Sequence, residues 1–184
     1  TLGEMLDRLA AEYPDREALV HFDNKLRYTY SQLKERVDLL ARGFMKLGIQ
    51  RGEHVSVWCT NYPHWVEAQF ALAKIGAALV TVNIHYRTME LEYLLDQSDS
   101  TTLIFMRGFR DANFVEMVNK ICPELATSKP GRLHSKRFPH LKRVIMMDEE
   151  RYPGMLNWDC LYKLGEEVPQ QELEERQSQV TADD

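Results

Sequence analysis

The residues through which this sequence could do chemistry are six histidines, three cysteines and a short run of carboxylates, and their spacing limits what that chemistry can be. His21, His54, His64, His85, His134 and His140 show no metal-ligand spacing, and neither an H-E-x-x-H helix nor a G-x-S-x-G elbow occurs. Cys59, Cys122 and Cys160 are odd in number with no close pair, which argues against a disulfide framework or a zinc knuckle and for buried or half-buried thiols in a reducing cytoplasm. Asp148, Glu149 and Glu150 follow an apolar run and precede Pro153-Gly154, the setting of a solvated turn. His64, in the first turn of an expected helix, has no triad partner nearby and reads as a half-exposed surface histidine. Thr127-Ser128-Lys129-Pro130-Gly131 combines hydroxyls, a lysine and a glycine. It lacks the spacer glycines that fold a loop around phosphate, and both G-x-G-x-x-G and G-x-x-x-x-G-K-[ST] are absent. From these residues alone the chain is an α/β domain without a visible active site.

The elements that must position any site are clearer. Leu2, Met5, Leu6 and Leu9 predict a helix over 2–12, stopped by Pro14, and Ala18–Phe22 and Lys25–Tyr28 predict strands joined by Asp23-Asn24. Thr29-Tyr30-Ser31-Gln32 matches a capping box, followed by an apolar stripe at Leu33, Val37, Leu40, Phe44 and Leu47 and a terminating Gly48. A strand over His54–Cys59 leads to a helix capped by Asn61, with Pro63 in its first turn and Gly76 at its end. Strands over Ala77–Val82, Thr101–Met106 and Leu141–Met147 alternate with helices that Thr88 and Asp111 are expected to cap. Residues 123–140 read as a long loop with room for partial disorder, Leu156–Leu164 as a short helix, and the chain after Gly165 as having no strong element. Alternating strands and helices with apolar strands predict a mostly parallel sheet with helices on both faces, plus a small N-terminal hairpin.

The chain has 184 residues, 44% apolar and 28% charged, as in a globular protein with a real core, and no apolar run is long enough for a membrane helix. Its net charge of −5 sits in the tail: residues 165–184 carry seven acids and one base. A near-neutral body gives no footprint for nucleic acid, and the tail reads as an acidic linker. The acidic start lacks the basic flank of a signal peptide, and a first residue other than Met fits a trimmed or processed chain.

Four stretches, in order, carry a resemblance. Thr29-Tyr30-Ser31-Gln32-Leu33 is similar to T-Y-x-[EQ]-L, and Leu47 to Val55 to L-G-[VI]-x-x-G-D-x-V. Asn61-Tyr62-Pro63-His64-Trp65 with Ala71-Leu72-Ala73-Lys74-Ile75-Gly76-Ala77 is similar to N-x-P-E-W…A-x-x-K-x-G-A. Val82-Asn83-Ile84-His85-Tyr86-Arg87, with Glu90 to Leu95 and Ser98, is similar to [VL]-N-P-x-Y-R-x-x-E-L-x-Y-x-L-x-x-S. Together they resemble the N-terminal part of the adenylate-forming superfamily of acyl-CoA synthetases, firefly-type luciferases and peptide-synthetase adenylation domains. His64 and Ile84 depart from the pattern's Glu and Pro.

The resemblance implies an N-terminal α/β subdomain over 1–164 and a linker over 165–184 toward an ATP-binding region. It implies that the whole enzyme, a medium- or long-chain fatty-acid CoA ligase, forms acyl-AMP from ATP and a carboxylate with Mg²⁺, then acyl-CoA. The family's Ser/Thr/Gly-rich phosphate loop, acidic ATP motif, ribose-binding aspartate and C-terminal lysine match no position here. The chain is therefore expected to bind no cofactor and to be inactive alone, with no catalytic residue and no metal ligand. Its expected partners are the rest of its own polypeptide and, in the whole enzyme, a fatty acid. An apolar patch left by the missing region is expected to favour self-association, and the location expected is cytoplasmic. By resemblance, Arg87 or else His85 contacts the coenzyme A nucleotide, against the simpler role of a salt bridge from Arg87 to Glu90 or Glu92. The rival reading from another class is a non-catalytic binding or interaction module that keeps the scaffold.

Overall fold

The computed structural model describes residues 1–23 and 25–184. Two compact units emerge, one from residues 1–52, 61–78 and 161–184, the other from residues 53–60 and 79–160.

The first unit opens with helix α1 (Leu2–Glu12), then an antiparallel hairpin of β1 (Glu17–His21) and β2 (Leu26–Thr29), and helix α2 (Tyr30–Lys46). Both α1 and α2 begin with complete capping boxes. At α2, the Thr29 hydroxyl accepts from the Gln32 amide and the Gln32 side chain accepts from the Thr29 amide, so two otherwise orphaned donors are satisfied. The expected stripe is buried at Leu33, Val37, Leu40 and Phe44. The Asp23-Asn24 turn lies partly outside the described residues. Helix α3 (Pro63–Ile75) follows in this unit and ends at Gly76, whose φ of 71° is left-handed. Its cap is Tyr62 rather than Asn61, and no side chain bonds there: Pro63 at the first position has removed one donor already. 

The second unit holds a five-stranded sheet. Its strands are β3 (His54–Trp58), β4 (Ala78–Thr81), β5 (Thr102–Phe105), β8 (Arg143–Met146) and β9 (Leu156–Asn157), in the order β4-β3-β5-β8-β9. The pairs β3–β5, β5–β8 and β8–β9 are parallel, as the apolar strands predicted. Helices α4 (Thr88–Gln97) and α5 (Phe114–Ile121) connect them, preceded in the second case by a small hairpin of β6 (Gly108–Phe109) and β7 (Ala112–Asn113). Leu91, Leu95, Val115 and Val118 of these helices pack with Trp58, Leu103, Phe105, Val144 and Met146 of one sheet face. On the other face Val57, Ile104 and Ile145 are also fully buried.

Several expectations need correction. Helix α4 is capped at Arg87, whose amide donates to the Glu90 carboxylate at 3.0 Å, and α5 at Asn113, whose side chain accepts from the Glu116 amide. Thr88 and Asp111 therefore cap nothing. The 123–140 segment is irregular but anchored: a 3₁₀ turn over Pro123–Thr127 and buried Leu125, Leu133 and Phe138 join the core. After β9, helix α6 (Trp158–Glu166) is followed by α7 (Gln170–Gln177), so the acidic tail has an element of its own. Val168 and Leu173 are buried in it, too few to show a period, and polar contacts supply the rest: Gln170 to Asp38, Gln177 to Asp7, and Arg42 to the Val168 carbonyl.

Candidate functional site

The turn after β4 carries the two residues singled out for coenzyme A. Asn83 shapes it: its side-chain oxygen accepts from the His85 amide at 2.9 Å and its carbonyl from the Tyr86 amide at 3.0 Å, a local turn that Ile84 tolerates in place of proline. His85 is exposed and meets Phe109 edge-on at 5.9 Å. Arg87 is half exposed, and its Nη2 donates to both carboxylate oxygens of Asp111 at 3.1 and 3.2 Å. The anticipated ion pair with Glu90 or Glu92 is replaced by this one. Glu92 is taken by Arg137 at 2.6 Å.

Asp111 sits with Arg110 in the two-residue turn of the β6–β7 hairpin, where Arg110 has φ 53°. Its own backbone amide, then the Arg87 guanidinium, hold the Asp111 carboxyl below the usual aspartate range. Arg107, Gly108, Arg110, Asp111, Ala112 and Asn113 line a surface cavity of about 320 Å³. Arg107 pairs with Glu150 at 3.0 Å and its amide donates to Asp148, so the carboxylates read as a free turn brace this hairpin. Arg110 lies over the Phe109 ring at 5.1 Å. Three guanidinium groups thus gather on the hairpin and the turn beside it, two of them paired with carboxylates. Planar guanidiniums of this kind suit a phosphate. Sequence reasoning singled out Arg87 and His85, read Asp111 as a helix cap, and gave no role to Arg107 and Arg110. The signal available was the glycine in Arg107-Gly108-Phe109-Arg110-Asp111, a tight turn rich in arginine.

Other candidates resolve structurally. The Thr127 and Ser128 hydroxyls both donate to the Glu124 carbonyl, so that segment spends its donors on itself. His64 stacks on Tyr62 at 5.4 Å. Burial pushes the Cys59 and Cys122 thiols up to about 12, which removes them as nucleophiles at neutral pH. Among the described residues, no three or more His, Cys, Asp or Glu side chains are arranged to hold a metal ion.

The lysine of the A-x-x-K-x-G-A stretch also has a local explanation. Lys74 is 1% exposed and pairs with Asp7 at 2.5 Å and Asp38 at 2.6 Å, and Lys34 also pairs with both, at 3.5 and 2.5 Å. This is a part-buried ionic knot tying α1, α2 and α3.

Comparison with solved structures gives the class first. Anthranilate CoA ligase AuaEII in complex with anthranoyl-AMP superposes with a TM-score of 0.72 at 20% identity, over 92% of this chain and 28% of that one. The N-terminal domain of FACL13 from Mycobacterium tuberculosis gives 0.70 at 20%, over 92% and 36%. The fold is thus that of the N-terminal region of CoA ligases. The chain belongs to the AMP-binding enzyme family, whose model matches residues 6–180. YngI of Bacillus subtilis, which bears the name of an acyl-CoA synthetase, is 44% identical over 183 residues. The human mitochondrial medium-chain acyl-CoA ligase ACSF2 is 38% identical over 165 residues. The chain spans 33% and 27% of the lengths of these two relatives. Among the described residues, no helix is long and apolar enough to cross a membrane.

Proposed function

We propose that these residues are the N-terminal part of a fatty-acid CoA ligase, with a medium- or long-chain acid as substrate. The whole enzyme joins the acid to ATP as acyl-AMP, releasing pyrophosphate, and coenzyme A then displaces AMP to give the thioester. The observation that carries this reading is the match to YngI along the whole chain at 44% identity. The chain itself contributes scaffold and one contact: Arg87, with His85 beside it, receives a phosphate of the coenzyme A nucleotide after Asp111 is displaced. ATP and Mg²⁺ find no motif in these 184 residues, so the chain alone is inactive. Its three free thiols suit a reducing cytoplasm. Phe22, Met89 and Tyr93, at 91%, 75% and 69% exposure, favour self-association of the isolated chain.

Two experiments test this. The isolated chain should give no ATP–pyrophosphate exchange with any fatty acid, and robust exchange would overturn the assignment of catalysis elsewhere. A chimera in which this chain replaces the matching third of YngI should form acyl-CoA from a medium- or long-chain acid. In that chimera R87A should raise KM for coenzyme A about tenfold with kcat little changed, as for a lost charge-assisted contact made equally in ground and transition states. A folded, ATP-binding chimera that makes no thioester, or an unchanged KM, would refute the reading.

A further inference from the structure

The guanidinium cluster stands on two segments that are separate in sequence, the turn 83–87 and the hairpin 107–113, and one buried side chain touches the support of both. Trp58, the last residue of β3, is completely buried. Its indole Nε1–H donates to the Asn83 carbonyl at 3.0 Å, the same carbonyl that accepts from the Tyr86 amide. Its ring lies flat on Phe114, with centroids 3.6 Å apart and planes 10° from parallel. Phe114 follows the hairpin directly, and its amide donates to the Arg107 carbonyl at 2.9 Å. The edge of one indole therefore holds the Arg87 turn, and its face holds the root of the Arg107–Asp111 hairpin. No other aromatic could do both, because only tryptophan combines a large flat face with a ring N–H donor of this reach.

We propose that Trp58 is the positioning residue of this cluster, setting the distance between Arg87 and the hairpin arginines without touching the ligand. The purpose of that spacing rests on the coenzyme A reading above; the geometry does not. A site of this kind requires its charged groups to be held within a fraction of an ångström by packed neighbours, and an exposed pair such as Arg87–Asp111 cannot do that for itself.

The test is W58F, which keeps one aromatic ring on Phe114 but deletes the N–H donor and the second ring of the face. Amide hydrogen exchange in residues 83–87 and 107–113 should speed up about tenfold, as for loss of one buried hydrogen bond, with α2 and α3 unchanged. Affinity for adenosine 3′,5′-bisphosphate, the probe for the coenzyme A nucleotide, should fall about tenfold, since the variant leaves all three arginines in place but no longer holds their spacing. In the wild-type chain the Trp58 indole N–H resonance, identified by its loss in W58F, should shift on titration with the bisphosphate, and R87A should abolish that shift. If W58F does not fold, the wild-type indole N–H decides: protection from exchange matching that of the 83–87 amides supports the proposal, and exchange at the rate of a free indole overturns it. Unchanged exchange in both segments of a folded W58F also overturns it. If the wild type fails to bind the bisphosphate, the coenzyme A reading falls, and the exchange measurements still decide the role of Trp58.

Discussion

Replacing Lys74 by methionine should be among the most damaging single changes in the first unit. Lys74 is 1% exposed, and its ammonium neutralises Asp38, itself 7% exposed, and the more accessible Asp7. Methionine fills the volume but leaves two carboxylates around one remaining cation, Lys34. Breaking a buried pair from one side costs about 3–5 kcal/mol. Lys34 is 33% exposed and still reaches both aspartates, which brings the expected loss to the lower end, about 3 kcal/mol. For a chain of this length that is a fall in melting temperature of about 6–12 °C. Adding D38N to K74M removes the uncompensated charge and should recover about half of the loss.

The pH dependence follows from the same cluster. Burial works against ionised Asp7, but hydrogen bonds from Lys74 and Gln177 outweigh it, and its folded pKa lies below the ordinary 3.8. That contribution to stability is present above pH 3.8 and is lost as pH falls through the lower, folded value. Burial likewise opposes the charge on Lys34, and Asp38 and Asp7 outweigh it, raising its pKa above 10.5. Its contribution is present below pH 10.5 and disappears as pH rises through the folded value. Thermal melts of wild type, K74M and K74M/D38N between these limits are the assay. A K74M midpoint within about 2 °C of wild type, or a double variant no better than the single, would show that the knot contributes nothing.

Two further outcomes are expected. G43A should cost about 3 kcal/mol in a urea melt, because a Cβ at Gly43 would stand 2.1 Å from the Leu161 carbonyl oxygen and backbone cannot yield cheaply; a neutral variant would contradict that close approach of α2 and α6. Ellman's reagent at pH 8 should titrate one thiol rapidly in the native chain, half-buried Cys160, and all three in denaturant, since Cys59 and Cys122 are buried with thiols near 12. Two fast thiols would contradict their burial.

What could be read from the sequence divides along physical lines. The capping box at Thr29, the stripe through Phe44 and the apolar strands are signals carried by neighbours a few residues apart, and the structure has them within about two residues of where they were expected. The misses depend on distant partners. Helix α7 has only Leu173 within it buried, and much of its anchorage is glutamine to aspartates more than a hundred residues earlier. The 123–140 segment places its buried residues at Leu125, Leu133 and Phe138, a spacing with no period. At the candidate site, Arg87 was singled out by resemblance, whereas Asp111 was read as a cap. Its true neighbour is 24 residues away, and no local pattern announces that pair.

Arg36 lies between the rings of Tyr28 and Tyr162, 4.9 and 4.7 Å from their centroids, and shares with Tyr162 the carboxylate of Glu67, which is 1% exposed. Residue 162 belongs to the last stretch of the first unit, after the chain has left it twice. During synthesis the ribosome must therefore deliver the entire sheet before this cradle can close, and until then Glu67 and its arginine wait with one wall missing. A released chain ending near residue 160 would hold every strand of the sheet with this cradle still open, the state in which a chaperone or a protease would meet it.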